Sequence, residues 1–268
     1  EGYEADDVLG SLAKKYNEDV VLLEAGHIGW GSSGRNAGFC CIPPAKMSVK
    51  QMFKKFGKKE TKKFFQNTIE GSKFTKNIIS EYNIDCDLTG DRNFEVAPHT
   101  SYFESIKDEA ETYKKEFGIE TQVYSKEEFN EIGHGGNEQF GAMSYQPGFA
   151  INPLKFLLGM ANAAKKSGVK IFQKSKVTKI EKNNGKYKII SNGHTIKANK
   201  VVMATNGFYK DDIFPKLNNM ILPVISNIII TRPLTKDEID SHNFITNNPV
   251  LNIRNLIFYY RVLKDNRF

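Results

Sequence analysis

Between Val20 and Gly38 the chain reads VVLLEAGHIGWGSSGRNAG, and this segment constrains the fold more than any other. The apolar run Val20-Val21-Leu22-Leu23 predicts a short buried strand that ends at Glu24. The loop that follows, Gly26 to Gly38, is built of glycine and serine. Small side chains of this kind let backbone N–H groups approach a bound anion. Upstream, residues 5–16 predict a helix leading into the strand. A dinucleotide-binding strand–turn–helix carries G-x-G-x-x-G/A, with an acidic residue about 20 positions later at the end of the second strand. Gly2 and Ala5 fit the second and third positions of that fingerprint, and Glu24 fits the ribose-binding acid. The first glycine would lie just before Glu1. Taken singly, Gly2 is equally an incidental glycine and Glu24 a strand-end surface residue, and the half-fingerprint does not by itself identify a ligand.

The remaining elements follow from spacing. Apolar residues recur at three- and four-residue intervals from 46 to 82, predicting two or three helices with breaks at Gly57 and Gly71. Helices are predicted at 102–118, 126–132 and Pro153–Lys166. Strands are predicted at Phe94–Ala97, Ala142–Tyr145, Val169–Gln173, Val177–Lys182 and Tyr187–Ser191. An Asn192-Gly193 hairpin leads into Thr195–Lys197, and further strands are expected at Lys200–Ala204, Leu222–Pro233 and Asn255–Lys264. The order is that of an α/β (α+β mixed) fold, a discontinuous Rossmann-like domain with a second domain inserted into it.

Three later segments carry the same message as the glycine loop. They are QPGFAINP at 146–153, VTKIE at 177–181 and KVVMATNGFY at 200–209. With VVLLEAGHIGWGSSGRNAG, which is close to VVLLEA-x-x-I-G-x-G-A-S-G-R-N-x-G, they resemble the D-amino-acid oxidase group of flavoproteins. That group includes glycine and sarcosine oxidases and gamma-glutamylputrescine oxidoreductases. The resemblance implies FAD as cofactor. It implies that Glu24 and Ala25 lie at the adenosine ribose, and that Gly31, Ser32, Ser33, Gly34, Arg35 and Asn36 run along the pyrophosphate towards the flavin. It further implies that Val177 meets the adenine through its backbone, and that Ala204, Thr205 and Asn206 close the site from a second strand end. The FAD-binding domain is then 1–45 with 146–215, and the substrate domain is 46–145 with 216–268.

By the same resemblance the activity is hydride transfer to flavin N5 from the carbon beside the nitrogen of an amine or amino acid. Water would hydrolyse the resulting imine. Arg261, Tyr259, Tyr260 and Arg232 are candidates for holding the substrate, since arginine binds carboxylates bidentately and tyrosine closes pockets. The alternative for all four is strand residues with solvated ends. The chain is expected to be cut at both ends, lacking a first strand and a C-terminal segment that completes the flavin site. That expectation supports a second hypothesis, a non-catalytic remnant that binds FAD poorly.

Composition bears on partners. The net charge is +7, but the lysines come as pairs along helical stretches (Lys54-Lys55, Lys58-Lys59, Lys62-Lys63), with phenylalanines at helical spacing between them. This reads as a solvated face on a buried stripe rather than a nucleic-acid site. Three cysteines, two of them the adjacent Cys40 and Cys41, do not make a disulfide framework. No metal-ligand spacing is present, and His27, His99, His134, His194 and His242 read as surface or core residues. No apolar run is long enough to span a membrane. The expected setting is reducing and cytoplasmic, and the expected partner is a small amine or amino acid.

Overall fold

The computed structural model describes residues 18–44, 46–207, 213, 215, 219–222, 224, 226–254 and 256–268. Gly2, Ala5 and the helix expected at 5–16 lie outside the described residues. The fold is mixed α/β, and the chain divides into two compact units. One comprises Glu1–Asn36 and Pro153–Ile228; the other comprises Ala37–Asn152 and Ile229–Phe268.

Among the described residues the first unit opens with β1 (Val21–Leu23), followed by a 3-10 turn at Ser32–Gly34. The chain then builds most of the second unit. In order these elements are β2 (Phe39–Cys40), α1 (Val49–Glu81), β3 (Asn93–Val96), α2 (Thr100–Phe117), β4 (Glu120–Tyr124), α3 (Lys126–Ile132), β5 (Ala142–Gln146) and β6 (Phe149–Ala150). It returns to the first unit as α4 (Pro153–Lys166), β7 (Lys170–Phe172), β8 (Val177–Asn183), β9 (Lys186–Ser191) and β10 (His194–Ala198). Finally α5 (Lys236–Ser241), β11 (Val250–Asn252) and β12 (Phe258–Tyr260) rejoin the second.

In the first unit β1 and β7 pair in parallel, with Leu22 opposite Ile171. Val20, Ala164 of α4 and Val169 form the core beneath them. Parallel pairing needs a long crossover, and α4 is its last helix before β7. Strands β8, β9 and β10 form an antiparallel meander whose tight turns are Asn184-Gly185 and Asn192-Gly193. The strand expected at Lys200–Ala204 is absent: residues 200–205 form no ladder. An apolar run becomes a strand only where a partner edge accepts its N–H and C=O groups.

The second unit is a five-stranded sheet in the order β12-β11-β3-β5-β4, antiparallel except for the β11–β3 pair. One face carries α1 and α2, where Phe65 stacks on Phe117 with ring centroids 3.9 Å apart and planes 10° apart. Helix α1 starts with a capping box, Ser48 and Gln51 bonding each other's backbone N–H. It kinks at Gly57, whose φ of 78° and ψ of 162° only glycine adopts cheaply. Gly71, by contrast, stays within the helix, so the second expected break does not occur. Helices α3 and α5 also begin with capping boxes, Ser125–Glu128 and Thr235–Glu238. Strands β4 and β11 were not anticipated from the sequence. The strand expected over Leu222–Pro233 is not present among the described residues there, and the one over Asn255–Lys264 shrinks to β12.

Candidate functional site

In the first unit the end of β1 and the glycine loop form one cluster. The Glu24 backbone N–H donates to Phe172 O at 2.9 Å, which fixes Glu24 at the strand end. Its half-buried carboxylate turns back, Oε1 accepting from the Gly26 N–H at 2.6 Å. Ala25 is exposed beside it. The Ile28 N–H donates to Gln173 Oε1 at 2.8 Å and the Lys174 N–H to Gly26 O at 2.8 Å, so the residues after β7 pin the start of the loop. Gly31 caps the 3-10 turn, and the Asn36 amide donates to Ser32 O and Ser33 O, each at 3.1 Å. The exposed Arg35 guanidinium lies over the Trp30 ring, 5.4 Å from its centroid.

Two glycines are sterically required here. A Cβ on Gly34 would sit 2.3 Å from Gly29 O, and a Cβ on Gly29 would sit 2.4 Å from Leu154 Cδ1 of α4. The loop therefore rests directly on the start of α4, leaving Ser32, Arg35 and Asn36 exposed. Asn206 comes to the same cluster: its amide donates to Ser32 Oγ at 3.4 Å, although 174 residues separate them. Ala204 and Thr205, just before it, are exposed. Val177, half-buried, opens β8 beside a register irregularity.

In the second unit the four candidate substrate residues separate. Tyr259 and Arg261 share one side of β12 and its continuation, because alternate residues point the same way. The Tyr259 ring meets Phe39 edge-on, with centroids 6.1 Å apart, and Arg261 Nη2 donates to Ile151 O at 2.7 Å. Burial lowers the pKa of Arg261, while Asp87 and Cys40 act the other way. Tyr260 faces the opposite side. Its hydroxyl is 2.7 Å from His134 Nε2, and His134 Nδ1 is 2.6 Å from Gly135 O. A carbonyl can only accept, so Nδ1 carries the proton and Nε2 accepts from Tyr260. Burial depresses the His134 pKa, in keeping with a neutral ring enclosed by Phe129, Phe244 and Tyr260. Arg232 is engaged elsewhere, in a two-pronged ion pair with Glu238 at 2.9 and 2.6 Å. The structure thus keeps Tyr259 and Arg261 together and assigns Tyr260 and Arg232 structural contacts.

Tyr260→Phe is expected to destabilise the chain by about 1–3 kcal/mol, because His134 Nε2 loses its donor in a buried site. Thermal unfolding of the two proteins checks this, and an unchanged midpoint would show that water replaces the hydroxyl.

Sequence reasoning passed over Glu95, Cys41 and Tyr145, on the same side of the sheet as Tyr259. Leu251 lies opposite both Tyr259 and Glu95, and Glu95 lies opposite Met143, which makes one row across four strands. Burial, with Glu109 nearby, pushes the Glu95 carboxyl up to about 8, and burial pushes the Cys40 and Cys41 thiols up to about 12. Neither thiol is therefore a nucleophile at neutral pH. Among the described residues no group of His, Cys, Asp or Glu side chains could hold a metal ion, and no helix is long and apolar enough to cross a membrane.

The sequence pattern defining the DAO family, described as FAD dependent oxidoreductase, matches residues 11–268. The chain belongs to the DAO family of FAD-dependent oxidoreductases. A probable oxidoreductase OrdL of Haemophilus influenzae is 29% identical over 264 residues, covering 96% of this chain and 59% of that protein. The gamma-glutamylputrescine oxidoreductase of Escherichia coli is 26% identical over 251 residues, covering 93% of this chain and 57% of that one. The chain therefore spans less than two thirds of the length of these DAO-family relatives. Glycine oxidase from Geobacillus kaustophilus has the same fold, with a TM-score of 0.71 at 15% identity over 98% of this chain and 66% of that one. L-proline dehydrogenase from P. horikoshii shares the fold as well, with a TM-score of 0.67 at 19% identity over 98% of this chain and 65% of that one.

Proposed function

We propose that this DAO-family chain binds FAD through its first unit and belongs to an enzyme that oxidises the C–N bond of an amine or amino acid. The observation that carries the reading is the cluster of Glu24, the Gly31–Asn36 loop and Asn206. The residues fit the cofactor. Gly29 and Gly34 make a backbone cradle that any Cβ would fill, and beside it Ser32 and Arg35 offer a hydroxyl and a positive charge to phosphate. Glu24 would accept from the ribose hydroxyls, Val177 would present its backbone to the adenine, and Ala204–Asn206 would flank the loop. Gly2 and Ala5 would complete the pyrophosphate turn. When bound, FAD supplies the hydride acceptor.

In the second unit Arg261 would hold a substrate carboxylate, and Tyr259, partly exposed on the same side, would cover it. The name of the Escherichia coli relative, which refers to a glutamylated diamine, supports an amine substrate.

The first test is the visible absorption spectrum of the purified chain before and after adding FAD. A bound oxidised-flavin spectrum is expected, followed by anaerobic bleaching with a reactive amine. A colourless protein that ignores added FAD would overturn the reading and favour a non-catalytic relative. Glu24→Ala is expected to weaken FAD binding by about 10- to 100-fold, the loss of charge-assisted hydrogen bonds. Glu24→Gln keeps an acceptor for the Gly26 N–H and separates loop support from ribose binding. Equal FAD affinity in all three proteins would remove Glu24 from the ribose role.

A further inference from the structure

Helix α1 carries nine lysines against three glutamates and no arginine, so one element holds +6 of the chain's net charge of +7. The charge is densest around the kink at Gly57. Lys54, Lys55, Lys58, Lys59, Lys62 and Lys63 fall within ten residues, and every residue from 54 to 64 except Thr61 is exposed. A helix lying flat on a core hides about three or four residues in every two turns. The two turns from 54 to 60 hide none, so the kink stands out from the second unit as a basic ridge.

Part of this charge is matched within the fold. Lys58 and Lys62 both reach Glu116 of α2, at 2.7 and 3.1 Å, and Lys50 reaches Asp108 at 3.3 Å. Lys54, Lys59, Lys63 and Lys73 have no acidic partner among the described residues, and Lys55 lies over the Phe56 ring, 5.2 Å from its centroid. Glu60 is the one acid on the ridge itself. Among these lysines Phe56 is 50% exposed and Phe74 52% exposed, with Phe64 beside them at the surface. A merely solvated face needs the lysines but gains nothing from the rings.

The residue types favour one kind of anionic partner. Reading of phosphates and base edges draws on the rigid arginine fork, whereas lysine is a hydrated point charge on a flexible apolar stem. A patch of lysines with exposed rings suits a diffuse anionic surface that has an apolar layer beneath it. Headgroups attract the ammonium groups, the stems lie along apolar matter, and the rings enter the boundary between headgroups and acyl chains. We propose that the α1 kink, centred on Phe56, docks this chain on an anionic lipid bilayer. Lys54, Lys55, Lys59 and Lys63 meet the headgroup charge and Phe56 enters the boundary. Attachment of this kind is peripheral, reversible and weakened by salt.

The test is co-sedimentation of the purified full chain with vesicles of phosphatidylcholine alone and of phosphatidylcholine mixed with phosphatidylserine, at low and high salt. The chain is expected to sediment with the anionic vesicles at low salt, to leave them at high salt, and to ignore the neutral ones. Combining Lys54→Gln, Lys55→Gln, Lys59→Gln and Lys63→Gln should weaken binding by about 100-fold or more. These lysines make no ion pair in the fold and glutamine is a comparable helix former, so an unchanged thermal midpoint is expected. Phe56→Ser should weaken binding several-fold and leave the salt dependence as it was. The control removes the same charge from the exposed Lys165, Lys166, Lys186 and Lys197 of the first unit, each replaced by Gln, and should change binding by less than about threefold. No sedimentation with anionic vesicles, equal sedimentation with neutral ones, or an equal loss in the control would overturn the proposal. So would a short RNA duplex that strips the chain from the vesicles at equal phosphate concentration, which would assign the ridge to nucleic acid.

Discussion

Gly34→Ala is expected to abolish flavin uptake and to destabilise the first unit by about 3 kcal/mol, the upper end of the range for forced overpacking. The new Cβ would lie 2.3 Å from Gly29 O and 2.8 Å from Gly29 Cα, so it meets backbone rather than a side chain that can swing away. Gly29 itself sits at a φ of 82°, which glycine adopts cheaply, so the clash is with backbone already committed to that turn. Gly31→Ala is the control. Gly31 has a φ of −79°, and a Cβ there would meet nothing within 4 Å, so its substitution should stay within about 0.5 kcal/mol. Titration of both variants with FAD, followed by absorbance, and thermal melts would read the difference. If Gly34→Ala took up FAD as the parent does, the loop would have to lie away from the cofactor.

Glu95→Gln is expected to remove a fall in stability with rising pH. The Glu95 carboxyl goes from an ordinary 4.5 in the unfolded chain to about 8 in the fold, mainly through burial. The folded state therefore holds the proton more tightly. The sign follows from linkage: the stabilisation from that proton is fully present below about 4.5 and is lost as the pH rises through about 8. The whole span is worth roughly 3–5 kcal/mol, and about 1.4 kcal/mol of it falls between pH 7 and 9. The upper window is the cleaner one, since buried His134, with its lowered pKa, acts in the opposite direction near its own ordinary value of 6.5. Denaturant unfolding at pH 7 and 9 should show the wild type losing about 1.4 kcal/mol more than Glu95→Gln, the slope left in the variant coming from the buried Cys40 and Cys41 thiols, whose raised pKa values act in the same direction. Parallel slopes in the two proteins would mean that Glu95 is solvated rather than buried.

The glycine loop was legible because its chemistry is local: a strand end, an acid and small residues in order. Helices α3 and α4 were legible for the same reason, with Ser125–Glu128 and Pro153 marking their starts. What escaped was decided at a distance. Strand β11 reads only Val-Leu-Asn, too short for any periodicity, and exists because β3 and β12 flank it. The runs at 200–204 and 222–233 look like strands in composition, yet no neighbouring edge pairs with their described residues. Glu95 hid in plain sight, because all four residues of β3 are buried and the usual in–out alternation vanishes. The pairing of His134 with Tyr260 spans 126 residues and has no local signature.

The two ends of the inserted unit lie side by side, the Ile151 N–H donating to Gly38 O at 2.9 Å. This has a consequence for the order in which the chain assembles. Strand β1 cannot find β7 until the intervening segment has been threaded out of the way, and closing a loop of that length costs about 4 kcal/mol in chain entropy. Once the insert has folded it acts as a staple, delivering residue 36 next to residue 153 with that cost already met. During synthesis residues 37–152 emerge before β7, so their folding precedes the pairing of β1 with β7, whereas β11 and β12 join the second unit's sheet afterwards. Damage to the core of segment 37–152 would then surface first as a failure of β1 to pair with β7.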